Sequence, residues 1–304
     1  MRLLVTGATG AVGRPAVRAL VAAGHDVLGV ARSDDKAADV VADGGRPITV
    51  DLFDPIAVRD ATTDVDGIVN LATSIPSPTR MARPAAWDLN ERIRREVSRN
   101  LANAAISNGV GVMVQESIAF AYEDRGADWI DESVPVDPGE LIAAMVDAEA
   151  NCQRVTAAGG RGVALRFGNF YGPASSHTQA HVLLARTGVF GLPGDADAWW
   201  PMLHLVDAAA AVVASVEAPA GIWNVADEPL TREGHAAALA AAMGRSRLRL
   251  PPRAVSRAMA RSAPQMVRSQ RVSSARFRDV AGWVPQFPSA HEGWRQVIDS
   301  EGES

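Results

Sequence analysis

The chain has 304 residues, 47% of them hydrophobic and 21% charged, with a formal net charge of −5 at pH 7. That length and composition fit one large or two moderate globular domains with an ample core. The mild acidity excludes the basic footprint that a nucleic-acid backbone demands. No apolar stretch approaches the ~20 residues of a membrane span, and with the first strand-like run beginning at Arg2 no secretory leader is expected. The expected location is cytoplasmic. Cys152, the single cysteine, can form no intramolecular disulfide and reads as a small helix residue.

Two scarcities constrain the chemistry more tightly than these totals. Among 30 basic residues only Lys36 is a lysine, and the only tyrosines are Tyr122 and Tyr171. Any mechanism that needs a Tyr/Lys pair must use them.

In chain order, RLLVTG is a short apolar run ending in glycine, and Ala11 to Ala23 reads as a helix with Val12, Ala16 and Leu20 on one face. Gly24 stops it. Further apolar runs at 25–31, 47–50 and 67–72 read as strands, and the polar, proline-bearing stretch 74–86 as a loop. From Asp88 to Asn108, Leu89, Ile93, Val97, Leu101 and Ala105 recur every four residues, which predicts one long, half-exposed helix stopping at Asn108-Gly109. Residues 111–116, 162–167 and 221–225 read as three more strands, 139–158 as a helix, and the arginine-rich 253–270 as helical with a break at Pro264. Strands alternating with helices predict an α/β fold built on a doubly wound parallel sheet. Residues 1–175 with 203–227 are expected to form the cofactor domain. Residues 176–202 with 228–304 are expected to form a smaller, mostly helical, C-terminal substrate-binding part.

Gly7, Gly10 and Gly13 stand at three-residue spacing between the first strand and first helix. In a dinucleotide-binding turn, Gly7 permits the tight bend, Gly10 lets the backbone approach a pyrophosphate, and Gly13 allows close helix packing. The anion then sits on the helix N-terminus. A plain glycine-bearing turn is the structural alternative. At the end of the second strand, a free ribose hydroxyl would call for Asp or Glu about 20 residues on. Here stand Arg32 and Ser33. Arginine offers a fork of donors to a phosphate, so Arg32 points to NADPH/NADP, with NADH still usable, unless it is simply a solvated turn residue. Arg14 either adds a second cationic contact or faces solvent.

TGATGAVG at 6–13, VDLFDP at 50–55, NLA at 70–72, LRFGNFYGP at 165–173, HLVDAA at 204–209, IWNVADEP at 222–229 and AGWVPQFPSAHEGW at 281–294 occur in that order. With them the chain resembles the extended short-chain dehydrogenase/reductase superfamily, in particular its NAD-dependent epimerase/dehydratase branch, over essentially its whole length. The resemblance implies a Rossmann-type fold with cofactor contacts from Gly7, Thr9, Gly10, Ala11, Val12 and Gly13. It further implies that Asp51 and Leu52 flank the adenine, that Leu71, Ala72 and Thr73 pass beneath the cofactor, and that Ser117 lies beside the nicotinamide. Gly168, Asn169 and Phe170 would line its other side. Each has an alternative: Asp51 could cap the next helix, and Ser117 could satisfy a strand-end carbonyl. The family's acid is a tyrosine in a YxxxK helix. With Glu149 matching the glutamate four residues after that lysine, Leu141 stands in the tyrosine position and Met145 in the lysine position, so both functional groups are missing. VQESIAFAY at 114–122 and DLNERIRREVSRNL at 88–101 resemble a tyrosine-less subgroup that includes actinobacterial angucyclinone-type polyketide ketoreductases.

Hydride transfer to a ketone leaves an alkoxide that must gain a proton or be stabilised by positioned donors. Ser117 and Tyr122 are the candidate catalytic residues. Tyr122 either points over the nicotinamide or packs beneath its loop. Tyr171, in an FYGP turn, reads as structural, and His204 either reaches substrate or satisfies a helix start. A phenol beside the substrate's own carbonyl could also supply the proton. Met81, Trp87, Met145, Trp200 and His204 are the candidate substrate contacts, an apolar, flat-surfaced set. His177 and His181 have metal-pair spacing but no third ligand nearby, so no metal is expected. The expected function is an NADPH-dependent ketoreductase acting on a small hydrophobic, aromatic polyketide-like ketone, with neither nucleic acid nor membrane as partner and the oligomeric state open. The rivals are a non-catalytic NADP-binding redox sensor and a sugar-nucleotide epimerase or dehydratase.

Overall fold

The computed structural model describes residues 1–77, 80, 83–173 and 175–302. Its main sheet has seven strands: β1 Arg2–Thr6, β2 Asp26–Val30, β3 Arg46–Ile48, β4 Gly67–Asn70, β5 Val112–Ile118, β6 Arg161–Phe167 and β7 Gly221–Val225. They lie in the order β7-β6-β5-β4-β1-β2-β3, and every pair is parallel. This is a Rossmann-type doubly wound sheet. Strand order reverses between β1 and β4, so a crevice opens above the carboxyl ends of those two strands, where such sheets take their ligands.

The helices follow from local signals. α1 (Gly13–Ala22) buries Gly13, Ala16, Val17 and Leu20, one stripe of a 3.6-residue period. α2 (Asp34–Ala42) starts where the Ser33 hydroxyl accepts the Lys36 amide, and α3 (Pro55–Ala61) where the Asp54 carboxylate accepts the amides of Ile56 and Ala57. The helix read over 88–108 is continuous but not uniform. α4 (Asp88–Arg92) passes through a π-helical turn, Ile93–Val97, into α5 (Ser98–Asn108), which Gly109 ends at φ +67°. A wide turn of this kind is rare and recurs at functional sites. A 3₁₀ turn at Glu140–Ile142 leads into α6 (Ala144–Ala157). The remaining helices are α7 (Ser176–Arg186), α8 (Leu205–Ser215), α9 (Arg232–Ala242), α10 (Arg253–Ser262), α11 (Ala275–Ala281) and α12 (Ala290–Gly302). Among the described residues, no helix is long and apolar enough to cross a membrane.

One face of the sheet packs Leu3, Val5 and Val163 against α1 and α8 through Val17, Leu20 and Val212. The other packs Leu4, Ile68 and Met113 against α5 and α6 through Leu101, Ala105 and Cys152. A third core, with Val182, Phe190, Trp200, Leu239 and Trp294, draws on segments 176–202 and 228–302. α11 departs from that partition: Phe277 and Trp283 enter the core under the sheet, and Asp207 on α8 takes the Gln286 and Phe287 amides on its carboxylate and the Trp283 indole on its carbonyl. Phe277→Ala is therefore expected to unfold the sheet domain more easily, by about 3–5 kcal/mol in chemical denaturation, as for any large core truncation. A loss under about 1 kcal/mol would show that α11 is only an accessory to that core.

Candidate active site

Every segment expected to touch the cofactor leaves the same edge of the sheet, because the strands are parallel and each segment follows a strand's carboxyl end. Gly7–Gly13 follows β1, Arg32 and Ser33 follow β2, Asp51 and Leu52 follow β3, Leu71–Thr73 follows β4, and Gly168–Phe170 follows β6. The glycine turn fits a bound pyrophosphate. Gly7 has φ +67°, and a Cβ there would stand 2.4 Å from the Leu71 carbonyl oxygen; at Gly13 a Cβ would stand 1.9 Å from the Gly7 carbonyl oxygen. No side chain caps α1; the Arg14 amide donates to Gly10, Pro15 has none and the Ala16 amide donates to Val12, so the amide of Gly13 is the one an anion would meet. Thr9 is half-buried, while Gly10 and Ala11 are exposed and Val12 is buried.

The charged residues sort differently from expectation. Arg32 is exposed and has no ion pair or hydrogen bond to another described residue, which leaves its guanidinium free at the end of β2. Arg14 neither reaches toward a phosphate nor faces solvent unpaired: it is held by Asp43 at 2.7 Å and Asp39 at 3.2 Å. The Asp51 carboxylate accepts the Phe53 amide at 2.9 Å, so the cap of α3 is Asp54. Leu52 is tied to α5 by its carbonyl, which accepts the Asn100 side-chain amide at 3.0 Å. The backbone of Gly168 donates to Val225, and a Cβ there would stand 2.8 Å from the Met202 carbonyl, so this position brings two chain segments together.

β5 is buried along its whole length, yet it carries Gln115, Glu116 and Ser117 in succession. Buried polar groups must find partners. Gln115 accepts the Asn70 amide at 2.8 Å, and Glu116 takes Arg94 at 2.8 Å. Ser117 donates to Glu149 Oε1 at 2.6 Å. Glu149 in turn receives Arg166 through two nitrogens, each at 2.8 Å; Arg166 Nη1 donates to the Tyr122 hydroxyl, which donates to Asn224 Oδ1, both at 2.8 Å.

This network holds both candidate catalytic residues. The Ser117 hydroxyl is consumed by Glu149, because strand alternation turns it toward α6. Tyr122 has 0% exposure, its phenol is enclosed by Arg166 and Asn224, and burial raises its pKa above the ordinary value. It packs beneath the loop. The next residue on β5, Ile118, lies in one apolar cluster with Ile142 and Met145, against which Leu141 packs. Leu141 and Met145 thus lie with Ile118, a residue that sequence reasoning passed over.

The substrate candidates scatter. Met145 is in that cluster, and Trp87 is buried at the start of α4. Trp200 belongs to the third core, 5.2 Å from Phe120 and 5.1 Å beneath Arg232. His204 is wholly buried; its Nδ1 accepts the Val206 amide at the start of α8, and burial lowers its pKa to about 4. It acts as a helix cap. Met81 lies outside the described residues. Tyr171 is structural, donating to Asp227 at 2.8 Å. His181, on α7, stacks near Phe190, and no cluster that could hold a metal occurs among the described residues. Glu149→Ala would strand the buried Arg166 charge and is expected to cost about 3–5 kcal/mol, whereas Ser117→Ala removes one hydrogen bond and should cost about 1–3 kcal/mol. Denaturant unfolding of both variants checks the order, and a reversal would contradict Glu149 as the centre of the network.

Residues 3–226 match the NAD dependent epimerase/dehydratase family. A Streptomyces sp. protein, 3-diazoavenalumate denitrifying reductase, is 32% identical over 314 residues, an alignment covering 96% of this chain and 99% of the relative. Among solved structures, a Thermus thermophilus UDP-glucose 4-epimerase in complex with NAD is 24% identical, covers 98% of each chain and superposes with a TM-score of 0.77. Human epimerase family protein SDR39U1 (isoform 2) with NADPH is also 24% identical, over 98% of this chain and 99% of its own, with a TM-score of 0.78. These structures share the fold. The activity class that the family and relatives support is an NAD(P)-dependent oxidoreductase or epimerase. A parallel seven-stranded sheet, a glycine turn closed on its own carbonyls and a match running from the first strand past the seventh make this chain a member of the NAD dependent epimerase/dehydratase family.

Proposed function

We propose that the chain is an NADPH-preferring reductase whose substrate requires no proton from the protein. The observation that carries this reading is the apolar cluster of Ile118, Ile142 and Met145 with Leu141, where the family resemblance leads one to expect a tyrosine and a lysine. When bound, the cofactor supplies hydride. The glycine turn holds its pyrophosphate, Arg32 takes a ribose phosphate, and the apolar cluster excludes water and presents a greasy wall to a small hydrophobic aromatic substrate in the cytoplasm. For a ketone, hydride adds to the carbonyl carbon and the carbonyl oxygen keeps the electron pair. The proton then comes from a neighbouring phenol of a polyketide-like substrate or from solvent.

A second electrophile is favoured by the full-length Streptomyces relative, whose name denotes reductive removal of a diazo group. An aryl diazonium ion accepts hydride, releases dinitrogen and gains a carbon–hydrogen bond. The balance closes without any proton donor, which the same apolar wall suits equally well.

Cofactor preference is tested by fluorescence titration. NADPH should bind more tightly than NADH, and Arg32→Ala should remove most of the difference; equal dissociation constants in the starting protein would sink the Arg32 assignment. The reaction is tested by following NADPH consumption with a ketone bearing an adjacent phenol, its methyl ether, and an aryl diazonium acid, alongside isomerisation of UDP-glucose. Turnover of the free phenol far above its ether supports the ketoreductase, and dinitrogen release from the diazonium supports the second reading. Tyr122→Phe should keep turnover within roughly tenfold, since losing a true general acid costs about 100- to 10,000-fold. Isomerisation of UDP-glucose would point to the epimerase reading instead, and tight NADPH binding without any turnover to a sensor.

A further inference from the structure

Arg94 stands in the π-helical turn and is 2% exposed. Only its Nη2 is used, on the Glu116 carboxylate; Nε and Nη1 are buried with no acceptor. One turn earlier, Asn90 is also buried. Its Oδ1 accepts the Ser74 amide at 3.0 Å, which fixes the side-chain amide and leaves Nδ2 without a partner. Residues four apart on a helix share a face. Three unmet donor nitrogens therefore lie one helical turn apart on the segment facing the loop after β4 and the end of β5, beside Glu116, whose Oε2 is also without a hydrogen bond. Stranding buried donors is costly, and a guanidinium the more so. Burial holds the Glu116 carboxyl above its usual pKa, and Arg94 pulls it back down.

We propose that Arg94 and Asn90 form a subsite for a carboxylate on the substrate. An acceptor with several lone pairs is the group that three unmet donors complement, and a carboxylate is the compact one that also answers a cation. The subsite would orient an aromatic acid with its ring along the Ile118 and Met145 wall. The inference rests on the reductase reading for the aromatic nature of the substrate, and its test therefore measures binding without turnover, so that either can fail alone.

The probe is salicylate, with salicylamide as its uncharged counterpart, titrated calorimetrically into the NADP-loaded protein. Salicylate should bind more tightly than salicylamide by about tenfold or more, the scale of hydrogen bonds to charged groups. Arg94→Met combined with Glu116→Gln, which leaves no buried charge unpaired, should abolish that preference, and Arg94→Lys with Glu116 retained should restore part of it. Glu116→Gln alone should tighten salicylate binding several-fold by freeing the guanidinium, an effect that a purely structural ion pair would not produce. An unchanged preference in the double variant, weaker salicylate binding in Glu116→Gln, or a parallel loss of NADP affinity would each overturn the assignment.

Discussion

A central strand buried on both faces is the ordinary place for valine and isoleucine, yet β5 spends three consecutive positions on Gln115, Glu116 and Ser117. Leaving any of them unpaired would cost a few kcal/mol against a total stability that is itself small. Each therefore recruits a partner from a different element: Asn70 on β4, Arg94 on the π-helical turn, and Glu149 on α6. The network extends through Arg166 to Tyr122 and Asn224, so β4, β5, β6, β7 and α6 are cross-linked by polar contacts at the edge where the cofactor segments gather. The site's rigidity comes from this network, which also decides which side chains are left over for chemistry.

What is left over is mostly apolar. Glu149 and Arg166 keep the register of α6 against β5 and β6, and that register carries Leu141, Ile142 and Met145 to Ile118. A general acid in such surroundings would be hard to ionise, as the raised pKa of the enclosed Tyr122 illustrates. Hydride transfer tolerates this better than acid–base exchange does, because it depends chiefly on approach geometry and on keeping water out.

A second buried polar group lies where α12 packs on the cofactor part. Tyr171 and the His204 amide share the Asp227 carboxylate, and Gly293 on α12 lies so close to Tyr171 that a Cβ would stand 2.0 Å from the phenol oxygen. Burial drives the carboxyl of Asp227 and the phenol of Tyr171 well above their usual pKa values. Together with α11 beneath the sheet, this contact makes the two parts interdependent.

Much of this protein is local in origin and was legible in the sequence. The alternation of strands and helices, the glycine turn and the stop at Gly109 each depend on a few neighbouring residues, and the absence of a Tyr/Lys pair follows from composition alone. Tertiary contact decided the rest. Arg94 meets Glu116 across 22 residues and Tyr122 meets Asn224 across 102, and no periodicity encodes such pairings. For the same reason Ser117 and Tyr122 are legible as polar groups near a site, but only the packing of α6 on β5 and the place of β7 beside β6 show that both find partners inside the protein. The packing of α6 and the turn before it on the end of β5 gave the position beside Leu141 and Met145 to Ile118.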